Sequence, residues 1–459
     1  MNKDYQTAER RARTGRAAPK KSSSGAEAAS EEPGMNLPGW ALPDSVQIAM
    51  ADLADAVREG LLAFAVGTGL QVLQVMMEED VTALAGPKGR WNRARVAKRH
   101  GHDDGEVSLG GRRVPIRRPR VRSADGREEL PVASYEAFSS SELLSEMALE
   151  RMLAKLSCRR YPIGLEPVGA GLEQVARSTS KSAVSRRFVK ATETALSELM
   201  AADLSGLDLV ALMVDGVHFA GHCCVVALGI GLDGTKHPLG LVEGSTENAT
   251  VVTELLAGLR DRGLDVTRPI LVVIDGAKAL SSGVKAVFDH PVIQRCQLHK
   301  VRNVQDHLPK SLASTVAEKM RAAYHDESAV NAEATLEALA RDLERSHPGA
   351  AGSLREGLAE TLTVIRLGVH PSLARTLRSS NAIESMIEIA RDHSSNVKRW
   401  RDGTMALRWC AAGMGEAGKQ FRRVNGFAHL PALREALERH VRGATDTPPS
   451  YDQATEVAA

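Results

Sequence analysis

Two short stretches decide the fold, LVALMVDG at residues 209–216 and ILVVIDG at residues 270–276. Each is a run of leucine and β-branched residues bounded by turn-forming residues, which is typical of a strand buried on both faces. Both runs end in an aspartate followed by a glycine, a residue that lets the backbone turn sharply. We therefore predict core strands with Asp215 and Asp275 at their ends, at the rim where open α/β sheets bind ligands.

A third acidic residue, Glu384, belongs to a helical pattern. The apolar residues that follow Asn381 recur at helical spacing, namely Ile383, Met386, Ile387 and Ala390. Glu384 is therefore predicted to project from the first turn of a helix laid across the sheet. Three carboxylates that meet in this way can hold two Mg²⁺ ions, which prefer oxygen ligands, around one phosphodiester. The alternative is that the Asp-Gly pairs form ordinary hairpin turns and that Glu384 is a solvated helix residue.

The pattern of residues 205–308 predicts an α/β unit, a mixed sheet flanked by helices. The predicted order is strands at 207–214, 217–230 and 235–242, a helix at 248–263, a strand at 269–274, a helix at 277–288, a strand at 292–296 and a helix at 299–308. Residues 309–378 form a helical insertion with candidate core positions Val316, Met320, Leu336, Leu339, Leu343, Leu354, Leu358, Leu362 and Ile365. The helix that carries Glu384 and the C-terminal helices are predicted to occupy residues 379–442.

Several motifs occur in a fixed order along this unit. They are LMVDG at 212–216, GIGLDGT at 229–235 followed by PLG at 238–240, VIDGAK at 273–278, QRCQLH at 294–299 followed by VRNV at 301–304, and SSNAIE at 379–384. In this order they resemble the Mutator-type transposases of bacterial insertion sequences. The resemblance implies a ribonuclease-H-like catalytic domain of the DDE type, in which Asp215, Asp275 and Glu384 are both the catalytic and the metal-binding residues. It also implies Mg²⁺ or Mn²⁺ as cofactor, DNA as partner (the element's terminal inverted repeats and the target), and a homodimer or larger synaptic complex.

Cys296 and His299 are spaced as half of a zinc site would be. No second pair at suitable spacing is evident, because the adjacent Cys223 and Cys224 would point to opposite faces of a strand. The resemblance instead implies that Cys296, His299 and Asn381 support the active site. Three basic residues flank the pair and are candidate contacts for DNA phosphates, Arg295, Lys300 and Arg302.

The N-terminal region, residues 41–200, is mainly helical in pattern and carries a basic segment. Residues 86–127 contain 13 Lys or Arg against 4 Asp or Glu, a charge imbalance that indicates polyanion binding. The alternation of Val114, Ile116 and Val121 predicts an extended ribbon that packs one face and turns its arginines outward, where they could follow a phosphate backbone. The alternative is a solvated charged strand. The arginines predicted to contact DNA are Arg112, Arg113, Arg117, Arg118, Arg120 and Arg122.

Residues 172–199 are a second candidate for DNA recognition. A short apolar face is followed by a turn with helix-capping residues at 178–182 and by a helix that begins near Ala183. This pattern resembles a helix-turn-helix, and an ordinary helical hairpin is the alternative. The second helix would turn three residues towards a major groove, Ser185, Arg186 and Lys190.

A further basic cluster follows the third acid and is also predicted to contact DNA, at Lys398, Arg399 and Arg401. Trp400 and Trp409 lie close to it in the sequence. They are candidates for stacking on a base or, alternatively, for anchoring the core.

The 459 residues are 43% hydrophobic, which is sufficient for two to four compact units. Five cysteines without an export signal, and no apolar run of membrane-spanning length, predict a cytoplasmic protein. The resemblance implies that it is bacterial and associated with the nucleoid. Residues 1–40 contain few large apolar side chains and are predicted to be a disordered tail, and residues 443–459 a loose one. A helix is predicted from about residue 43 to residue 85, broken near residues 67–69.

These patterns lead to one hypothesis and two alternatives. The hypothesis is a DNA transposase that exposes a 3′-hydroxyl by metal-dependent hydrolysis and uses it to attack a second phosphodiester. The first alternative is a sequence-specific DNA-binding repressor derived from an inactive transposase. The second is a structure-specific, metal-dependent nuclease that does not transfer strands.

Overall fold

The computed structural model describes residues 44–90, 95–165, 168, 170–244 and 248–445. The tail predicted for residues 1–40 lies outside the described residues. So does the C-terminal tail, except for residues 443–445, which belong to the last helix.

The described N-terminal region combines helices with a two-stranded ribbon. Its elements are α1 (Asp44–Ala85), β1 (Ala97–Leu109), β2 (Arg112–Ser123), β3 (Glu129–Leu130), α2 (Ala133–Ser139), α3 (Ser141–Leu153), α4 (Ala170–Val175) and α5 (Lys181–Ala201). The predicted break in α1 near residues 67–69 is wrong, because the helix runs through both glycines. Each glycine costs about 1 kcal/mol in a helix, and the packing of Leu73, Met77 and Val81 on the ribbon offsets that cost.

The ribbon is an antiparallel hairpin of β1 and β2. Its two-residue turn consists of Gly110 and Gly111, both with positive φ, as tight hairpin turns require. Val121 and the partly buried Ile116 pack with residues of α1 in one core, and Val114 is also buried. The prediction that one face of the ribbon packs is therefore confirmed.

The central unit contains all eight predicted elements in the predicted order. They are β4 (Leu209–Phe219), β5 (His222–Gly231), β6 (Lys236–Gly244), α6 (Ala249–Asp261), β7 (Ile270–Ile274), α7 (Lys278–Val287), β8 (Pro291–Arg295) and α8 (Gln297–Asp306). The strand order is β6-β5-β4-β7-β8. Strands β5 and β6 pair antiparallel, whereas β7 and β8 run parallel to β4. The predicted mixed α/β sheet is confirmed.

Helices cover both faces of this sheet, which explains why the runs at residues 209–214 and 270–274 are apolar at every position. Leu212 and Val214 pack with residues of α6 and α7 on one face. Ala211 and Met213 pack on the other face, in the core that contains the C-terminal helices. These are α15 (Asn381–His393), α16 (Gly403–Gln420) and α17 (Leu430–Thr445), which follow the insertion.

The insertion between α8 and α15 is entirely helical in its regular structure. Its helices are α9 (Lys310–Ala323), α10 (Ala329–Glu344), α11 (Pro348–Arg355), α12 (Leu358–Thr361), α13 (Thr363–Arg366) and α14 (Pro371–Leu377). The nine predicted core positions all belong to one cluster, with Ile365 the partly buried member. That cluster also includes Val301 and Val304 of α8, so the insertion packs directly on the helix that leaves the sheet.

Helix α5 of the N-terminal region shares a core with the C-terminal helix α16. Phe188 lies 4.6 Å from Trp409 between ring centroids, and the buried Arg408 donates a hydrogen bond to the Thr192 hydroxyl (2.9 Å). Trp400 packs on Phe219. Of the two interpretations of Trp400 and Trp409, core anchoring is therefore the correct one.

Candidate active site

Strand register places Asp215 and Asp275 side by side. Met213 pairs with Val273 across the parallel strands β4 and β7, and each aspartate lies two residues beyond that pair. Asp275 follows the last residue of β7, and Gly276 has a φ of 108°. The prediction of a strand end is confirmed for Asp275.

For Asp215 that prediction is wrong, because β4 continues to Phe219. Asp215 pairs with Val226 of β5, and the hairpin turns only after Phe219. The alternative of a hairpin turn at residues 215–216 is wrong as well. Since β7 ends at Ile274, Asp215 still lies at the edge of the parallel part of the sheet.

Glu384 approaches the two aspartates from above one face of the sheet. Side chains alternate along a strand, so Asp215 lies on the face of Ala211 and Met213. Ile383 and Met386 of α15 pack on that same face. Glu384, in the first turn of α15 as predicted, thus extends towards the edge where both aspartates lie.

The electrostatics of Asp215 reflect this convergence. The pKa of Asp215 is raised to about 6, mainly by burial, with the charges of Asp275 and Glu384 adding to the effect and the Gly216 amide and His299 opposing it. No Lys or Arg among the described residues forms an ion pair with any of the three acids. A cluster of carboxylates with uncompensated charge fits divalent cations such as Mg²⁺ and Mn²⁺, which take oxygen ligands and relieve the repulsion.

Cys296, His299 and Glu384 lie together beside the aspartates, linked by Ser380. The ligand atoms of the first three lie within 4.8 Å of one another. The buried Ser380 hydroxyl donates to Glu384 Oε1 and lies 3.4 Å from both Cys296 Sγ and His299 Nδ1. Sequence reasoning missed Ser380. The available signal was its position in the SSNAIE motif, four residues before the acid.

These contacts shift the pKa values of His299 and Cys296 in opposite directions. Its hydrogen bond to Cys296 raises the pKa of His299 to about 9, with the charges of Glu384 and Asp215 adding to the effect and burial opposing it. Burial alone would raise the pKa of the Cys296 thiol, but hydrogen bonds from His299 and Ser380 bring it below its ordinary value. Structural zinc sites take four protein ligands, whereas this group offers three that are already joined by hydrogen bonds. Asn381 is exposed at the start of α15.

Two basic residues expected to meet phosphates face the protein interior instead. Arg295 has an 11% exposed side chain and forms an ion pair with Glu360. Lys300 is 4% exposed and donates to the carbonyl groups of Ser353 and Glu356, both at 2.7 Å. These cations fix the insertion to the sheet. Arg302 is exposed.

The six ribbon arginines differ in exposure. Arg117 is exposed, Arg112 is buried, and the half-buried ones are Arg113, Arg118, Arg120 and Arg122. The expectation that all face outward is wrong for Arg112, which donates to Glu173 (3.1 Å). Arg118 and Arg120 share Glu129.

The helix-turn-helix-like segment consists of α4, a turn and α5. As predicted, the turn supplies the cap, since the Ser180 hydroxyl accepts from the Ala183 amide (3.3 Å). Arg186 and Lys190 are exposed, whereas Ser185 is half-buried. The ribbon joins this turn through paired backbone hydrogen bonds between residues 113 and 177.

The basic cluster after the third acid lies in the loop between α15 and α16. Lys398, Arg399 and Arg401 are exposed, and Arg401 forms an ion pair with Asp402 (2.7 Å). Within the described part of the chain, no helix is both long and apolar enough to cross a membrane.

The chain is similar in sequence to known transposases. A family model described as "Transposase, Mutator family" matches residues 45–423. The chain is 25% identical to the transposase for insertion sequence element ISRM5 of Rhizobium meliloti, over 82% of this chain and 92% of that protein. It is 30% identical to the transposase for IS6120 of Mycolicibacterium smegmatis over 51% of this chain and 73% of that protein. The transposase for IS256 in transposon Tn4001 of Staphylococcus aureus is 24% identical over 69% of this chain and 80% of its own length.

Proposed function

The chain belongs to the Mutator family of transposases, and we propose that it cleaves the ends of an insertion sequence and joins them to target DNA with Asp215, Asp275 and Glu384 as cation ligands. The observations that support this proposal are the register that places Asp215 beside Asp275 at one edge of the sheet and the effect of the Glu384 charge on Asp215. Burial is the largest cause of the raised pKa of Asp215, and the charges of Asp275 and Glu384 add to it. The sheet order, with the second strand antiparallel to the rest of the core, is consistent with a ribonuclease-H-like fold.

The fold would hold the three acids in fixed positions around the substrate. The two aspartates are held by the strands and Glu384 by the first turn of α15, so a scissile phosphate at the sheet edge would meet all three. Two Mg²⁺ or Mn²⁺ ions bound there would activate the attacking oxygen and stabilise the leaving one. Ser380 would orient Glu384 by its hydrogen bond, and His299 would supply a positive charge next to the carboxylates.

DNA binding would fall to surfaces outside this cleft. Exposed cations are available on the ribbon at Arg117, on α5 at Arg186 and Lys190, and in the loop at Lys398 and Arg399. Since both ends of an element must be handled together, we propose a dimer or larger synaptic complex as the active form. Its substrate would be bacterial DNA, which places its work at the nucleoid.

A strand-transfer assay tests the proposal. The substrate is a duplex that carries the inverted repeat flanking the coding sequence, nicked in advance to expose the 3′-hydroxyl, with Mg²⁺ and a target plasmid. The wild type should give joined product. Asp275→Asn and Glu384→Gln should give none while retaining DNA affinity, and Asp289→Asn, the same change at an exposed carboxylate, should remain active.

The other outcomes separate the alternatives. Cut product without joining would identify a nuclease. Bound DNA without any reaction would identify a repressor. Near-normal joining by Asp275→Asn or Glu384→Gln would remove that residue from the mechanism.

A further inference from the structure

A cavity of about 690 Å³ lies between the end of α9 and the segment that leads from α13 into α14. We call it the α9–α14 cavity. Its apolar lining includes Val364, Ile365, Val369 and Ala374. The volume lies within the range of pockets that bind small molecules, which are mostly apolar with a few convergent polar groups.

One wall of the cavity is cationic. Arg375 and Arg378 lie one helical turn apart at the end of α14, and both line the cavity. Among the described residues neither arginine forms an ion pair, and the contact of Arg378 is with His325 Nε2 (3.3 Å). Burial and the charge of Arg375 both lower the pKa of Arg378. Two guanidinium groups held together without a carboxylate partner favour an anionic ligand.

The acidic residues at the cavity do not neutralise this wall. Asp326 and Glu327 line it too. The Asp326 carboxylate accepts the amide of Ser328 (2.8 Å), and Glu327 is exposed. Neither forms an ion pair with Arg375 or Arg378.

A buried donor is also left for a ligand. Tyr324 is 4% exposed and lines the cavity. Its hydroxyl lies near Thr361 without forming a hydrogen bond of good geometry. The Thr361 hydroxyl itself donates to the Leu358 carbonyl (2.7 Å). A buried polar group without a partner is costly, and Tyr324 is the one residue of this lining whose buried side chain has such a group.

The cavity adjoins the acid cluster through two chain segments. Gln297, which lines it, directly follows Cys296, and the Gln297 amide donates to the Arg378 carbonyl (2.9 Å). Arg378 precedes Ser380 by two residues, and Ser380 bonds Glu384. The lining of the cavity is therefore close along the chain to Cys296 and Ser380, which contact each other beside Glu384.

We propose that the α9–α14 cavity binds one nucleotide of the DNA substrate beside the scissile phosphate. Arg375 and Arg378 hold its phosphate, and the apolar lining receives a base taken out of the stack. The place given to this nucleotide rests on the proposed function. Binding of a nucleotide by the cavity is measurable without cleavage.

The experiment titrates the full-length protein with deoxyadenosine monophosphate, deoxyadenosine and inorganic phosphate, followed by calorimetry and ligand-observed NMR. The monophosphate should bind at least ten-fold more tightly than either fragment. Arg375→Gln and Arg378→Gln should each weaken that binding at least ten-fold. Arg366→Gln, an exposed arginine of α13 outside the cavity, is the matched control and should bind normally. Unchanged thermal unfolding establishes that the variants fold.

The outcomes separate this inference from the function on which it rests. Nucleotide binding that depends on both arginines supports the cavity, even if the wild type fails to join strands. Phosphate binding as tight as that of the monophosphate overturns the base-binding part. If the monophosphate does not bind, or binds Arg375→Gln as tightly as the wild type, the whole inference is overturned. That conclusion holds whether or not the wild type transfers strands.

Discussion

Replacing Asp215 by asparagine should make the metal-free protein more stable, although it should abolish strand transfer. Asp215 is half-buried next to two other acids, and its pKa is raised from 3.8 to about 6. A raised pKa means that the folded state disfavours the charged carboxylate. Asparagine removes the charge and keeps an oxygen to accept the Gly216 amide (2.8 Å).

The magnitude follows from linkage between protonation and folding. Each pH unit of pKa difference corresponds to about 1.4 kcal/mol, so the wild type should lose roughly 3 kcal/mol above pH 6 relative to the variant. The penalty is absent below pH 3.8, where the carboxyl is neutral in both states. At pH 5 about half of it should remain.

The assay is urea unfolding in EDTA at pH 7.5 and pH 5. A chain of this length need not unfold in one step, so the urea midpoints of wild type and variant are compared only where the dependence of unfolding free energy on urea is the same for both. Asp215→Asn should have the higher midpoint, and more so at pH 7.5. Asp289→Asn, at an exposed position, should shift stability by no more than about 0.5 kcal/mol. Mg²⁺ should then raise the midpoint of the wild type and have less effect on Asp215→Asn. A lower or unchanged midpoint for Asp215→Asn in EDTA would refute the reasoning.

Three further predictions concern other parts of the chain. Ser380→Ala should raise the Mg²⁺ concentration for half-maximal strand transfer roughly ten-fold, as loss of a bond to a metal ligand does; the Ser379→Ala control should not, and equal effects would assign Ser380 a merely structural role. Leu336→Ala, in the core of the insertion, should cost about 2–5 kcal/mol of unfolding free energy, and a cost below 1 would contradict tight packing there. Arg117→Ala should reduce the slope of log Kd against log salt by about one, measured by DNA fluorescence anisotropy; an unchanged slope would exclude a phosphate contact.

The order of elements in the central unit was predictable because its strands have a strong local signature. The runs before Asp215 and Asp275 are buried on both faces, so periodicity and turn residues suffice to locate them. The length of β4 was not predictable in this way. It is set by pairing with β5, which extends beyond β7. The break predicted in α1 failed for a related reason, since tertiary packing overrode the local preference of glycine.

The contacts of the charged residues were even less predictable from local sequence. Arg112 and Arg295 resemble DNA-binding residues in sequence, but their carboxylate partners lie 61 and 65 residues away along the chain. No local pattern indicates such a partner. Ser380 has a local signal in its place four residues before Glu384, but its link to Cys296 spans 84 residues and has none.

The ion pairs and hydrogen bonds of Arg295 and Lys300 affect the charge of the acid site. Arg295 and Lys300 are the basic residues directly adjacent in sequence to Cys296 and His299, and both contact the insertion through Glu360 and backbone carbonyls. Among the described residues, the one cationic partner of Glu384 is His299, at 3.8 Å. Most of the negative charge of the cluster is therefore left uncompensated by the fold. Because an arginine in this position would compete with divalent cations for the carboxylates, the commitment of nearby cations elsewhere leaves the acids without such a competitor, as the proposed binding of metal ions requires.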